Sequence, residues 1–308
     1  VIAFLSLCLP IFAVIGLGWG AAYWRLIQQA MVDAIGAFAF LFALPALLLR
    51  LMAAQPLSQS FEPGFFLGYL GACLIIFGAV MAMALPWRRR GPAAAIGAAA
   101  AMGNVGYLGP PLLLPLLGER GAGPIAMSIM SEVAVVLALG SLLMAPAVPG
   151  AGLRNAARAL RSVALNPVLL SIGAGALVGA SGLAFPGPVD RFLGFLGGAA
   201  GPTALFALGG TLARLRIDRG LLAVAGGAAV AKLVAYPLLV WTILGPVLGL
   251  EPFWVHAGVL LAAMPTASNA FVMAQRNHAA ADEVSAAVLF SSLAAALAFP
   301  LTAWLAAP

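Results

Sequence analysis

The sequence predicts an all-α integral membrane protein: ten transmembrane helices laid out as two inverted five-helix repeats. Apolar stretches of about 20 residues, the length that a hydrocarbon layer of about 30 Å demands of a helix, recur along the whole chain. Arginines gather in alternate connections between these stretches, and two stretches in corresponding halves are interrupted by similar phrases. Of the 308 residues, 64% are hydrophobic and 8% charged, with a mean hydropathy of +1.10, too much apolar surface for a domain with a polar exterior. A closed barrel would instead alternate in segments of about 10 residues, a pattern the sequence lacks.

Charged and Gly/Pro-rich breaks delimit the spans at residues 2–24, 31–53, 64–86, 92–117, 124–146, 166–185, 190–213, 221–249, 253–275 and 284–306. The first is too long, and lacks the basic start, for a cleaved signal peptide. Odd-numbered connections hold Arg25; Arg88, Arg89 and Arg90; Arg154, Arg158 and Arg161; Arg214, Arg216 and Arg219; and Arg276. The even ones hold only Arg50, Arg120 and Arg191. Positive charge is retained on the cytoplasmic side, so the expectation is an inner-membrane protein with both termini outside the cytoplasm. The net charge of +6 is then a topology signal and not a nucleic-acid footprint.

Phe42-Ala43-Leu44 with Arg50-Leu51 in the second span is echoed by Phe206-Ala207-Leu208 with Arg214-Leu215 in the seventh, an offset of 164 residues. Ala100-Ala101-Met102 and Ala262-Ala263-Met264 in the interrupted spans are offset by 162. With five spans per repeat, the second copy enters the membrane upside down. The expected organisation is a first repeat at 1–146, a cytoplasmic linker at 147–165 and a second repeat at 166–308.

The fourth span clusters Gly103, Gly106, Gly109, Pro110 and Pro111, a run that suits no continuous helix. The ninth places Pro265, Thr266, Ser268 and Asn269 at a comparable depth. Unsatisfied backbone groups in hydrocarbon cost several kcal/mol each, so such breaks persist only where protein, solute or water supplies partners. The half-helix after each break also offers free N–H groups and a positive dipole end, a seat for a carboxylate. Gly103, Asn104, Pro265, Thr266, Ser268 and Asn269 are therefore the expected substrate-binding residues; a proline kink satisfied by neighbouring helices is the structural alternative.

Glu132 and Lys232 lie well inside the fifth and eighth spans, where a charge costs about 2.5 to 3.5 kcal/mol. Glu132 reads as a coupling or gating carboxylate, or as a structural hydrogen bond to a neighbouring helix. Lys232 could balance an anionic substrate, pair with Glu132, or snorkel its stem toward the cytoplasmic face. Asn166-Pro167 opens the sixth span, either as a secondary polar contact or as a simple helix cap. Cys8 and Cys73 fall in apolar runs and read as packing residues, and His256 and His278 are isolated. With no His/Cys/carboxylate cluster and no Gly-rich phosphate loop, the sequence predicts no metal, no cofactor and no enzyme chemistry.

At these residues the chain resembles the auxin efflux carrier family, which includes the plant PIN transporters and many bacterial relatives. The likeness runs through Leu9-Pro10-Ile11-Phe12, Ala43-Leu44-Pro45-Ala46-Leu47-Leu48, Gly103-Asn104-Val105-Gly106-Tyr107-Leu108-Gly109-Pro110 and Asn166-Pro167. It continues through Leu205-Phe206-Ala207-Leu208-Gly209-Gly210 and Ala263-Met264-Pro265-Thr266-Ala267-Ser268-Asn269-Ala270-Phe271. The resemblance implies the fold type of bile-acid symporters and sodium/proton antiporters. Broken helices 4 and 9 would cross in an elevator-like transport domain made of helices 3–5 and 8–10. Helices 1, 2, 6 and 7 would form the scaffold, which mediates homodimers in plant relatives. The family's crossover carries proline in both helices, matched here by Gly103 and Pro265; its crossover asparagine maps to Asn104. Its polar position in the fifth helix maps to Glu132, where glutamate replaces a neutral amide of the plant proteins. The large cytoplasmic loop of many plant members is reduced to Pro146–Leu165, so phosphorylation control through it is expected to be absent. The implied function is secondary active or facilitative transport of a small carboxylate-type organic anion by alternating access, with proton or sodium as candidate coupling ions. The alternatives are a sodium-coupled organic-anion symporter and a membrane solute sensor that does not transport.

Overall fold

The computed structural model describes residues 2–56, 60–145, 152–214 and 221–305. Every regular element among them is a helix, apart from one isolated β-bridge. In chain order the helices are α1 (Ile2–Tyr23), α2 (Gln29–Ala53), α3 (Pro63–Ala84), α4 (Arg90–Ala101), α5 (Val105–Leu117) and α6 (Glu119–Met144). They continue as α7 (Gly152–Ala164), α8 (Pro167–Ser181), α9 (Gly187–Leu212), α10 (Leu222–Val247), α11 (Pro252–Ala262), α12 (Ser268–Arg276) and α13 (Ala281–Leu305). Six of them, α2, α3, α6, α9, α10 and α13, are long and apolar enough to cross a membrane, or seven spans if α7 and α8 form one bent span. Leu9–Tyr23, α5 and α11 are shorter apolar helices. The expected connection holding Arg216 and Arg219, and residues 146–151 at the start of the basic linker, lie outside the described residues.

The fourth and ninth stretches are each two helices, α4 then α5 and α11 then α12, parted at Met102–Asn104 and Ala263–Ala267. The Gly109-Pro110-Pro111 run, in contrast, continues as helix within α5. Pro110 and Pro111 lie in the second turn of α5, where the carbonyls of Gly106 and Tyr107 lose their i+4 donors, and Pro115 removes the donor to the Pro111 carbonyl. Four stretches widen to π-helical geometry: Ala39–Ala43, Met130–Leu137, Ala231–Ala235 and Ile243–Val247. In three of them a proline, Pro45, Pro237 or Pro246, sits in or just after the turn, where its missing N–H interrupts the i→i−4 ladder. Met130–Leu137 has no proline; it carries Glu132.

The helices group into two compact units. One comprises Val1–Pro63, Val105–Met127 and Asn166–Arg214; the other comprises Gly64–Asn104, Ser128–Leu165 and Leu215–Pro308. In the first, helices approach through small residues, as membrane helices must when lipid leaves no hydrophobic drive between them. A Cβ on Gly209 of α9 would run into the Ile15 carbonyl of α1, and one on Gly18 into the Phe206 carbonyl. Gly175 of α8 has the same role against α2, where a Cβ would come within 2.8 Å of the Met52 side chain. The Arg50 guanidinium of α2 donates twice to Asp190 of α9, at 2.7 and 3.1 Å, in a half-exposed pair.

In the second unit, α4 is buried along Ala93–Ala101 and α11 along Ala257–Ala262. Alanine-rich α4 lets the backbones close up; a Cβ on Gly97 would lie 2.7 Å from the Phe77 carbonyl of α3. Phe65, Tyr69, Trp254 and Tyr236 form a run of ring contacts with centroids 5.5 to 5.7 Å apart, tying α3 to α10 and α11.

Gly209→Ala should destabilise the protein by about 1–3 kcal/mol, because the interface is already at backbone contact. Gly226→Ala, whose new methyl would meet nothing within 4 Å, should leave stability unchanged or raise it by about 0.5–1 kcal/mol. Thermal unfolding of both variants in detergent measures the difference.

Candidate functional site

The site is built where two helices stop. α4 ends at Ala101 because Met102 turns extended (φ −86°, ψ 110°) ahead of Gly103. α11 ends at Ala262, three residues before Pro265, which has no N–H to offer a continuing helix and pushes its predecessor out of helical geometry. The extended pieces run antiparallel and pair as a β-bridge between Gly103 and Thr266. The Asn104 N–H donates to the Pro265 carbonyl at 2.8 Å, and the Ala267 N–H donates to the Met102 carbonyl at 3.0 Å.

The surrounding side chains take up what the bridge leaves over. The Gly103 N–H donates to Glu132 Oε2 at 2.8 Å, and the Tyr69 hydroxyl donates to Glu132 Oε1 at 2.9 Å. The Thr266 N–H donates to Ser291 Oγ at 3.0 Å, while the Thr266 hydroxyl donates to the Ala99 carbonyl at 2.9 Å. Lys232 Nζ donates to the Ala262 carbonyl at 2.6 Å and lies 4.5 Å from the centroid of the Tyr236 ring. Ala99 and Ala262 belong to the last turns of α4 and α11, whose carbonyls have no further N–H along the helix. An ammonium at the end of α11 also has the sign that a helix C-terminus favours.

Six sequence-predicted residues, Gly103, Asn104, Glu132, Lys232, Pro265 and Thr266, therefore converge in one buried cluster of the second unit. The snorkelling expected as one course for Lys232 does not occur: the side chain is fully buried and anchored on a backbone carbonyl. Both charges meet at Gly103, where an added Cβ would lie 3.1 Å from Lys232 Nζ and 3.2 Å from Glu132 Oε1. Asn104 is buried, and its side-chain Nδ2 has no hydrogen-bond partner. Ser268 and Asn269 form the first turn of α12; Ser268 Oγ is likewise buried and without a partner, and Asn269 is half-buried. Asn166 belongs to the first unit, where its Oδ1 accepts from the N–H groups of Val168 and Leu169 at 3.0 and 3.2 Å with Pro167 at the helix start. That is the capping alternative of the sequence reading.

Tyr69, Tyr236 and Ser291 were not predicted. Hydroxyl residues in long apolar spans were the available signal, but only the folded geometry singles out the ones facing the break.

The sequence profile of the family described as "Membrane transport protein" matches residues 3–303, nearly the whole chain. The chain belongs to this family, the auxin efflux carrier transporters. Among the relatives of this transporter is a Rhizobium meliloti (strain 1021) protein named "Putative malonate transporter". It is 37% identical over 297 residues, covering 94% of this chain and 91% of the relative. A Methanothermobacter thermautotrophicus protein named "Uncharacterized transporter" is 29% identical over 235 residues, covering 74% of this chain and 75% of its own. The transporter departs from the crossover pattern that its family resemblance implies at two positions, and the geometry couples them. Where proline has no N–H, Gly103 has one, and Glu132 supplies the acceptor it requires.

Removing one of two buried charges around a common point leaves the other uncompensated. Lys232→Met should therefore cost about 3–5 kcal/mol. The Glu132→Gln/Lys232→Met double variant should be less destabilised than the sum of the single variants, with a coupling of about 0.5–3 kcal/mol. A double-mutant cycle by thermal unfolding in detergent checks both figures.

Proposed function

We propose that this transporter is a bacterial inner-membrane carrier that moves a small carboxylate anion, of the malonate class, by elevator-like alternating access. The observation that carries this reading is Asn104: a buried amide at a break in the membrane-embedded backbone, with Nδ2 donating to nothing in the protein. Together with Ser268 Oγ and the first turn of α12, it offers donors to an anion's oxygens, in keeping with the anion preference of helix N-termini. Gly103, Pro265 and Thr266 hold the break in shape, Asn269 extends the polar lining, and Glu132 acts as the gating or coupling carboxylate. The name of the Rhizobium relative points to the same substrate class.

The pairing across the break supports the inverted repeat. Gly103 and Thr266 are 163 residues apart, between the two offsets visible in the sequence. The same shift exchanges the two bridge hydrogen bonds, Asn104 to Pro265 and Ala267 to Met102, as an internal two-fold requires. It also relates Tyr69 to Lys232 and Ala99 to Ala262. In this reading the ten spans are α1, α2, α3, α4 with α5, and α6, then α8, α9, α10, α11 with α12, and α13. Spans 3–5 and 8–10 are the moving transport domain, and spans 1, 2, 6 and 7 are the scaffold and dimer surface. The odd connections face the cytoplasm.

Lys232 also bears on coupling. Its ammonium occupies the carbonyl at the end of α11 where a sodium ion would find an oxygen ligand, so the reading assigns no sodium to the break.

Purified protein in liposomes should accumulate or release malonate and related weak acids, at rates unchanged when potassium replaces sodium. Asn104→Ala should abolish flux while the protein still inserts and unfolds at the wild-type temperature. Lack of flux with every weak acid tested, under proton and sodium gradients alike, would overturn the carrier reading; binding without flux would favour a sensor.

A further inference from the structure

α7 is built unlike the spans. From Glu132 to Asp190 the sequence has no acidic residue between those two, and α7 places three arginines in that stretch. Arg154, Arg158 and Arg161 are spaced i, i+4, i+7 and share one face, all exposed. The ion pairs Arg50–Asp190 and Arg88–Glu283 lie elsewhere. On a neighbouring face Leu153, Ala157, Leu160 and Ala164 repeat the same spacing, and Leu153 and Leu160 are 85% and 70% exposed. A third face turns inward at Ala159, which is 8% exposed.

In water alone, two large leucines bared beside three arginines would be an unfavourable surface. At the edge of a bilayer each face has a partner. The leucines reach the upper acyl chains and the guanidinium groups reach phosphate, a bidentate match that lysine would not make. If α7 were instead the first part of a span continued by α8, all three arginines would be drawn toward the hydrocarbon. The chain avoids that by ending α7 at Ala164 and starting a freshly capped helix at Asn166-Pro167.

We infer that α7 is an interfacial helix that docks on the headgroup layer of anionic phospholipid, with Arg154, Arg158 and Arg161 on the headgroups and Leu153 and Leu160 in the acyl boundary. The partner is the lipid leaflet; an acidic protein or a second copy of this chain would not require the leucines to lie along the bilayer plane. The inference requires only that the chain is membrane-embedded, and it stands or falls independently of the substrate.

The test is hydrogen exchange of residues 153–164 in the full-length protein, one copy per nanodisc. Nanodiscs of phosphatidylcholine are compared with nanodiscs in which part of it is replaced by phosphatidylglycerol. Attraction of a basic segment to an anionic surface is worth about fivefold in equilibrium constant per arginine near the headgroups. Exchange should therefore be at least about fivefold slower in the anionic nanodiscs, and high salt should reduce the difference. Arg154→Gln/Arg158→Gln/Arg161→Gln, which keeps helix-forming side chains, should abolish the lipid dependence. A Leu160→Trp reporter, read as the difference from the wild-type tryptophans, should be quenched by lipids brominated near the headgroup and lose that quenching in the arginine variant. Equal exchange in the two nanodiscs, protection that survives the arginine replacements, or no quenching at Leu160→Trp would each overturn the proposal.

Discussion

Backbone that leaves the helix in a buried, apolar setting must find hydrogen-bond partners there, and in this transporter two such pieces find each other. The bridge between Gly103 and Thr266 satisfies the Asn104 and Ala267 N–H groups with the Pro265 and Met102 carbonyls. Four short helices, α4, α5, α11 and α12, can then stop or start there without leaving these buried backbone groups unpaired. The remaining groups draw in α3, α6, α10 and α13 through Tyr69, Glu132, Lys232 and Ser291. The second unit is thus organised around one unwound point.

This dependence explains the placement of charge. Glu132 serves a backbone N–H and Lys232 a backbone carbonyl, so each ion does the work a water molecule would do in an aqueous loop. Both stand on π-helical turns, which turn a side chain out of the register a regular helix would give it. Gly103 is small because two charged side chains approach it, and it keeps an N–H because Glu132 is there to receive it. Beside this frame Asn104 Nδ2, Ser268 Oγ and the Tyr236 hydroxyl are buried without a hydrogen-bond partner.

The first unit follows a different rule. Its helices meet at glycine, with Gly18, Gly209 and Gly175 bringing main chains together, and its notable polar contact is the half-exposed Arg50–Asp190 pair. Close packing at backbone contact favours rigidity, whereas the second unit concentrates buried polar groups at a break. The basic helix α7 adds a third environment, the membrane surface itself.

Membrane class, helical content and the two points of interruption were legible in the sequence, because apolar length and Gly/Pro placement act locally and need no partner to be read. Asn104, Glu132 and Lys232 were legible as costly polar residues in apolar runs. What each of them does was not. Whether Lys232 snorkels or anchors a carbonyl and whether Asn166 reaches a site or caps a helix depend on which groups lie opposite. Tyr69 and Ser291 carried no signal beyond a hydroxyl in an apolar span, since their partners are distant in sequence. The sequence by itself determined that the chain is membrane-embedded and where its helices must fail. Only the tertiary structure decided how the failed backbone is paid for, because hydrogen bonding between segments 163 residues apart is a property of their meeting and of neither segment alone.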